Sequence, residues 1–437
     1  MPRPNFLFLF PDQHRPDWLG CNPDLPLRTP NLDRLAHRGV RFRHAYCDSP
    51  LCAPSRAALA SGRSYDRCRV PDNHTDYPLD LPTYYQALRD VGYRVCGVGK
   101  FDLHKDTSDS SKMDWHLDGS RLLPEWGFTD GIDNEGKIDG SNSYRTCEGP
   151  RGPYLKFLAD RGLADLYCEE HAAMGKNMGA YTTALPDNAY CDNWLAENGL
   201  QFLRNFPAGQ PWHLVVNFTG PHNPMDVTER MRGAWEDVAF APPRNNDKPD
   251  REGLLRNRQN YAAMIENIDR LVGEFLAAVT ARGELGNTLI VYASDHGEML
   301  GDQGRWGKCH WRTASAGVPL IVAGPEVCRD VVSDALVSVR DLAATFLDYA
   351  DAPVLPGMDA CSLRPVLEGK RENHRQTVVC GLQDWRLAFD GRYKLVRQDE
   401  QPDQLFDLDC DPWEEQDIAC ANPGIVTRLA VALDTER

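Results

Sequence analysis

Five short apolar runs recur along the chain: FLFLF at 6–10, RVCGVGK at 94–100, WHLVVNF at 212–218, TLIVYAS at 288–294 and VPLIVAG at 318–324. Each is too short for a helix of ordinary length. They are rich in Val, Leu and Ile and carry no polar alternation, as strands buried on both faces do. Amphipathic stretches stand between them: TPNLDRLAHRG, LPTYYQALRDVG and YAAMIENIDRLVGEFLAAVTARG. Strand and helix in alternation predict an α/β fold, a large, mostly parallel sheet sandwiched by helices. Ligands of such sheets bind beyond the carboxyl ends of the strands. Two residue pairs fall there: Asp12 and Gln13 after the first run, Asp295 and His296 after the fourth.

The pattern weakens between about Lys105 and Pro186, where Trp, Gly, Asp and Ser accumulate; residues 105–186 read as a variable insertion over the active face. It changes again past residue 351. WRLAFDGRYKLVRQ reads as a hairpin turning at Asp390-Gly391, followed by LFDLDCDPWEEQDIA and a last helix. The expected organisation is a catalytic domain over 1–351 and a C-terminal subdomain, a small antiparallel sheet with a helix, over 352–437.

A net charge of -16 argues against nucleic acid or an anionic membrane as partner. No stretch approaches the roughly 20 apolar residues of a membrane helix. The apolar run at 6–10 is too short for a secretory leader, and no small-residue cleavage site follows it. With no export signal in the sequence, most of the fourteen cysteines are read as reduced thiols and the expected location is the cytoplasm, with export by a removed leader as the alternative. No CxxC and only one adjacent Cys/His pair, Cys309-His310, also argue against a structural zinc site.

Two carboxylates, an amide oxygen and an imidazole on one face can hold a divalent cation. Mostly oxygen donors favour Ca²⁺ or Mg²⁺, and the single imidazole admits Mn²⁺. A plainer reading makes these residues caps of the following helices. The stretch LCAPSRAALASGR at 51–63 places Cys52 at the start of a helix, with Pro54 in its first turn. The positive end of a helix welcomes an anion there, and Arg56, one turn on, can reach back with a forked set of donors.

CAPSRAALASGR resembles the signature of the type I sulfatases, which belong to the alkaline-phosphatase-like superfamily. TPNLDRLAHRGVRF before it and DAPVLPGMDACSLRPVL and GRYKLVRQ after it are similar to other landmarks of that family, in the family's order. The resemblance runs from Asn5 to about Ala419. It implies the alkaline-phosphatase-like fold, one bound divalent cation, with Ca²⁺ first, and a Cys52 converted to formylglycine by a dedicated generating enzyme. The hydrated aldehyde is then the nucleophile. It also implies that Asp12, Gln13, Asp295 and His296 bind the metal. Lys308 in GRWGKCHW and Lys100 in GVGKFDLH match the family lysines that stabilise the transferring group, and Arg56 belongs with them. His222 in TGPHNP matches a histidine near the leaving group and is the candidate general acid. His104 stands two residues beyond the position where the family's Gly-Lys-x-His histidine is expected, and Asp102 occupies that position. Asn73, in PDNHTDYP, is similar to a substrate-contacting asparagine of the phosphonate monoester hydrolase branch. Asn73, His104 and His310 are the expected substrate-binding residues.

The activity implied is hydrolysis of carbohydrate or small aryl or alkyl sulfate monoesters. The Asp-Gln and Asp-His pairs look closer to the phosphonate monoester hydrolases, so phosphonate monoester or phosphate diester hydrolysis is the alternative. An inactive binding scaffold predicts loss of the cysteine, the arginine or the metal ligands, and all are present.

Overall fold

The protein is described by a computed structural model covering residues 3–105, 108–174 and 178–435. Residues 106–107 and 175–177 of the expected 105–186 insertion, and both chain ends, lie outside the described residues. The strands are β1 (Asn5–Leu9), β2 (Gly39–Tyr46), β3 (Arg94–Gly99), β4 (Asp130–Asp133), β5 (Tyr181–Thr182), β6 (Trp212–Asn217) and β7 (Asp226–Val227). They continue with β8 (Thr288–Ala293), β9 (Leu320–Ala323), β10 (Val331–Ser338), β11 (Val378–Leu382), β12 (Trp385–Phe389), β13 (Tyr393–Gln398) and β14 (Gln404–Asp407).

Eight of these form the central sheet in the order β10-β2-β9-β8-β1-β6-β3-β4. The five apolar runs are β1, β3, β6, β8 and β9. All pairings are parallel except those of β9, which is antiparallel to both β2 and β8. Side chains alternate across a strand. Phe6 and Phe8 of β1 therefore join one buried cluster, while Leu7 and Leu9 join the cluster on the opposite face. Three strands of this sheet, β2, β4 and β10, carry no continuous apolar run. β2 exposes or half-exposes Arg41, Arg43 and His44, and the edge strand β10 begins with exposed Val331 and Val332.

Helices α1 (Pro30–His37) and α3 (Tyr84–Asp90) follow two of the expected amphipathic stretches, and α2 (Cys52–Ser61) is the helix expected to start at Cys52. The long helix Arg251–Ala281 begins well before Tyr261, where apolar periodicity starts. The Asp250 side chain accepts the Gly253 N–H at 2.9 Å and caps its polar first turns. Strands β11 to β14 make a separate antiparallel sheet, against which the helix Pro423–Thr435 packs through Leu429 and Leu433. The β12–β13 hairpin turns through Asp390 and Gly391. Among the described residues no helix is long and apolar enough to cross a membrane.

The register of the central sheet sets the site. Leu9 of β1 pairs with Tyr292 of β8, so Asp12 and Asp295, three residues further along each strand, leave the sheet at one level. Gly99 of β3 pairs with Asn217 of β6, which brings Lys100 and the Thr219–His222 loop to the same end. A side chain at Gly99 would meet the Asn217 carbonyl oxygen at 1.9 Å, and its φ is 110°, so only glycine permits this approach.

Candidate active site

Helix α2 is buried along its whole length, and Leu51, in extended conformation, precedes Cys52 as its cap. The small residues Ala53, Ala57, Ala58 and Ala60 let the helix lie close on the sheet. Gly62 ends it with φ 64°, the left-handed conformation that glycine supplies without strain. Asn73 Oδ1 accepts the Ala53 N–H at 3.0 Å, one of the donors a helix start leaves unpaired. Cys52 is fully buried and faces Asp12, Asp295 and His296, whose ligand atoms all lie within 4.8 Å of one another and of Sγ.

This group fits a divalent cation. A carbonyl oxygen only accepts, so His296 Nδ1 must donate to the Gly297 carbonyl at 3.1 Å. Nε2 then faces the acids, at 3.6 Å from Asp295 Oδ2, 3.8 Å from Asp12 Oδ1 and 3.4 Å from Cys52 Sγ. An imidazole whose Nδ1 is held by a carbonyl and whose Nε2 faces two carboxylates has the arrangement of a metal ligand. Gln13 supplies a second sign. Its Nε2 is tied to Glu298, while its buried Oε1 has no hydrogen-bond partner among the described residues. Buried polar atoms are seldom left unpaired, and a hard cation satisfies such an oxygen. Asp295 Oδ1 also fixes the turns, accepting the N–H groups of Gln13 and His296, each at 2.9 Å.

Cations of the chain surround the acids. Arg56 donates to Asp295 Oδ2 at 3.0 Å, Asp12 Oδ2 at 3.3 Å, Asn217 Oδ1 at 3.2 Å and the Lys100 carbonyl at 2.5 Å. Its guanidinium is thereby spent on the acids and the strand ends, in place of the free fork the sequence suggested. Lys100 Nζ contacts Asp12, lies 3.4 Å from Cys52 Sγ and 3.1 Å from Asp102. Lys308 Nζ reaches Cys52 Sγ at 2.8 Å and His222 Nε2 at 2.8 Å. Burial opposes ionisation of Cys52, but Lys100, Lys308, Lys105 and His296 outweigh it and hold the thiol well below its ordinary range. Burial and the Cys52 charge likewise push Asp12 up, and the ammonium groups of Lys100 and Lys308 overcome them, keeping its carboxyl well below the usual carboxylate range.

His222 differs from the expectation. Its Nδ1 donates to the Asn223 carbonyl at 2.6 Å, so Nε2 is the acceptor of Lys308. Burial first, and Lys308 next, push its pKa below the usual histidine value. The proton of this pair therefore resides on Lys308 Nζ. The Thr219–His222 loop is held by Asp192, whose Oδ1 accepts from Thr219 N at 2.7 Å and Thr219 Oγ1 at 2.9 Å.

Two expected substrate-binding residues stand apart. His104 Nδ1 pairs with Asp76 at 2.7 Å and the ring is 40% exposed. A polar partner outside draws it away from the lysines. His310 packs on Trp311 beyond Lys308, and its Nδ1 accepts the Arg312 N–H at 3.2 Å. It lines a separate cavity of about 380 Å³ with Arg305, Trp385 and Gln404. Asn73 does line a cavity of about 210 Å³ bounded also by Lys105, Lys137, His222 and the two lysines that contact Cys52, Lys100 and Lys308.

Two groups went unnoticed in the sequence. Glu298 accepts the Gly307 N–H at 2.6 Å and the Leu300 N–H at 2.8 Å besides holding Gln13, and so ties the metal-ligand candidates to the loop that carries Lys308. Lys105 enters the same cavity from beside Asp102. A carboxylate inside SDHGEMLGD was the available signal for Glu298. For Lys105 it was the second lysine of GKFDLHK.

The chain belongs to the sulfatase family: the Sulfatase family profile matches residues 4–352. It is 28% identical to the choline-sulfatase of Rhizobium meliloti over 466 aligned residues, covering 95% of this chain and 82% of that protein. It is 25% identical to the arylsulfatase of Clostridium perfringens, covering 94% of this chain and 89% of that one. Among solved structures, the phosphonate monoester hydrolase of Agrobacterium radiobacter superposes with a TM-score of 0.81 at 23% identity, covering 100% of this chain and 95% of that chain. Membership implies a divalent metal and a cysteine-derived formylglycine, and makes the protein a sulfuric ester hydrolase.

Proposed function

We propose that the protein hydrolyses sulfate monoesters of small aryl, alkyl or carbohydrate alcohols, with Cys52 as the formylglycine precursor. The observation that carries this is the position of Cys52 Sγ, 2.8 Å from Lys308 Nζ and 3.4 Å from both Lys100 Nζ and His296 Nε2. One buried point thus faces a cation site on one side and two ammonium groups on the other. A calcium ion held by Asp12, Gln13, Asp295 and His296 would supply Lewis-acid charge to the nucleophilic oxygen and to the sulfate.

The residues of the chain divide the remaining work. Lys100 and Lys308 place donors where negative charge grows on the transferring group. Arg56 bridges both metal-site carboxylates, 3.3 Å from Asp12 Oδ2 and 2.9 Å from Asp295 Oδ2, and holds them in register. Lys308 holds a proton at Nζ next to His222 Nε2, and this pair hands a proton to the departing alcohol oxygen. Asn73 fixes the start of α2, and the 210 Å³ cavity gives the leaving group a small space beside Lys100 and Lys308. The generating enzyme that converts Cys52 is the partner this reading requires. We place the protein in the cytoplasm, on the strength of fourteen free thiols, five of them exposed.

The first experiment is the mass of the tryptic peptide His44–Arg56 from protein made beside a generating enzyme. An aldehyde in place of the thiol supports the reading, and an unmodified thiol overturns the mechanism. Gln13 and His296 in the metal group favour a second reading, phosphonate monoester or phosphate diester hydrolysis by the same residues. Relative kcat/KM on matched aryl sulfate and aryl phosphonate esters decides between them.

A further inference from the structure

The Gly-Lys-x-His pattern that the family resemblance led one to expect is broken in this chain, and the structure shows what fills the gap. Asp102, at the expected histidine position, has φ 52° and is buried. A carboxylate there cannot act as a neutral donor toward an anionic substrate. Instead, one oxygen, Oδ2, binds two ammonium groups, Lys100 at 3.1 Å and Lys105 at 2.7 Å. Asp139 Oδ2, from the helix Lys137–Cys147, takes a second bond of Lys105 at 3.1 Å. Lys105 is 6% exposed, while His104 turns outward to Asp76.

An ammonium carries three donors, and these two carboxylates use two. Lys105 and Lys100 share a carboxylate oxygen, and both line the cavity that Lys308 also lines, with Lys100 and Lys308 contacting Cys52 Sγ. Burying a lysine is costly unless its charge is used, and burying it beside Lys100 adds repulsion between like charges. Burial opposes the Lys105 charge, and Asp102 and Asp139 overcome this, keeping it ionised with its pKa above the ordinary lysine value. A structural ion pair would need only one of the two acids.

We propose that Lys105, held between Asp102 and Asp139, is a substrate-contacting cation that binds a peripheral oxygen of the sulfate group, in the place left by His104. This rests on the sulfatase reading above. Asp102 and Asp139 are its positioning residues.

The test uses the full chain with Cys52 converted, and reads both inorganic sulfate binding by calorimetry and kcat/KM on 4-nitrophenyl sulfate. Lys105→Met is expected to weaken sulfate binding about tenfold and kcat/KM about a hundredfold. Lys105→Arg, which keeps the charge, is expected to recover most of the sulfate binding. Asp139→Asn leaves Asp102 in place and serves if Lys105→Met does not fold; it is expected to weaken sulfate binding about threefold through misplacement of the ammonium. Wild-type sulfate affinity in folded Lys105→Met, or in Asp139→Asn where the former does not fold, overturns the proposal. If the wild type binds sulfate yet hydrolyses no sulfate ester, the sulfatase reading fails separately, and the affinities of the variants still decide the role of Lys105.

Discussion

Lys308 Nζ donates to His222 Nε2 at 2.8 Å, while His222 Nδ1 is committed to the Asn223 carbonyl. The pair therefore holds one transferable proton, on the lysine, and needs the imidazole neutral. Burial and Lys308 lower the His222 pKa, so the acidic limb of kcat is expected below the ordinary histidine range, with activity lost as pH falls through it. Lys308→Met is expected to lower kcat/KM by about a hundredfold to a thousandfold. In His222→Asn that acidic limb should disappear from the pH–kcat profile. An acidic limb unchanged in His222→Asn would assign it to another group.

In the proposed cation site, Glu298 would act on the metal through Gln13. Glu298→Gln removes the charged acceptor that holds Gln13 Nε2 and frees the amide to rotate its oxygen away. Metal affinity is expected to fall about tenfold to a hundredfold, measured by competition with a fluorescent chelator. Full chelation of the wild type should abolish turnover and lower the melting temperature, with recovery on adding Ca²⁺. Recovery by Mg²⁺ or Mn²⁺ alone would replace calcium as the ion.

His213, in β6, is buried among Phe6, Tyr84 and Phe346, and burial lowers its pKa from 6.5 to about 3. The folded state keeps it neutral, whereas the unfolded chain takes up a proton below pH 6.5. Stability from this group is therefore present at neutral pH and lost as pH falls toward 4, by about 3 kcal/mol at that point. Urea unfolding at pH 7 and pH 4.5 should show a shallower loss in His213→Phe than in the wild type.

Lys394 of β13 is fully buried and bonds both Glu414 and Thr313 Oγ1, the latter at 2.6 Å. The Glu414 carboxylate also accepts the Thr313 N–H at 3.0 Å, which joins the antiparallel sheet to the segment following Lys308. Lys394→Met strands a buried carboxylate and is expected to destabilise the protein by about 3 kcal/mol. Lys394→Met with Glu414→Leu should recover much of that loss.

The parts legible in the sequence were those in which one local pattern determined the outcome. Strands β1, β6 and β8 are buried on both faces, so their apolar runs stood out, and with them Asp12 and Asp295. Cys52 was visible because proline, small residues and glycine surround it in a fixed order. β2 and β10 went unread because charged side chains interrupt their apolar positions. Lys105, Asp139 and Glu298 act through partners distant in sequence or hidden in a loop, and periodicity carries no record of such pairs. His104 was misplaced for a related reason: spacing from Lys100 counts residues, whereas the positive φ of Asp102 turns the chain and exchanges which neighbour points inward.

Helix α2 leaves none of its ten residues exposed. If Cys52 is converted as proposed, its burial makes the conversion a matter of timing in biosynthesis. An enzyme that oxidises Cys52 would then need LCAPSR as an open segment, before α2 is buried. Chains that fold first are expected to keep the thiol when such an enzyme is added afterwards.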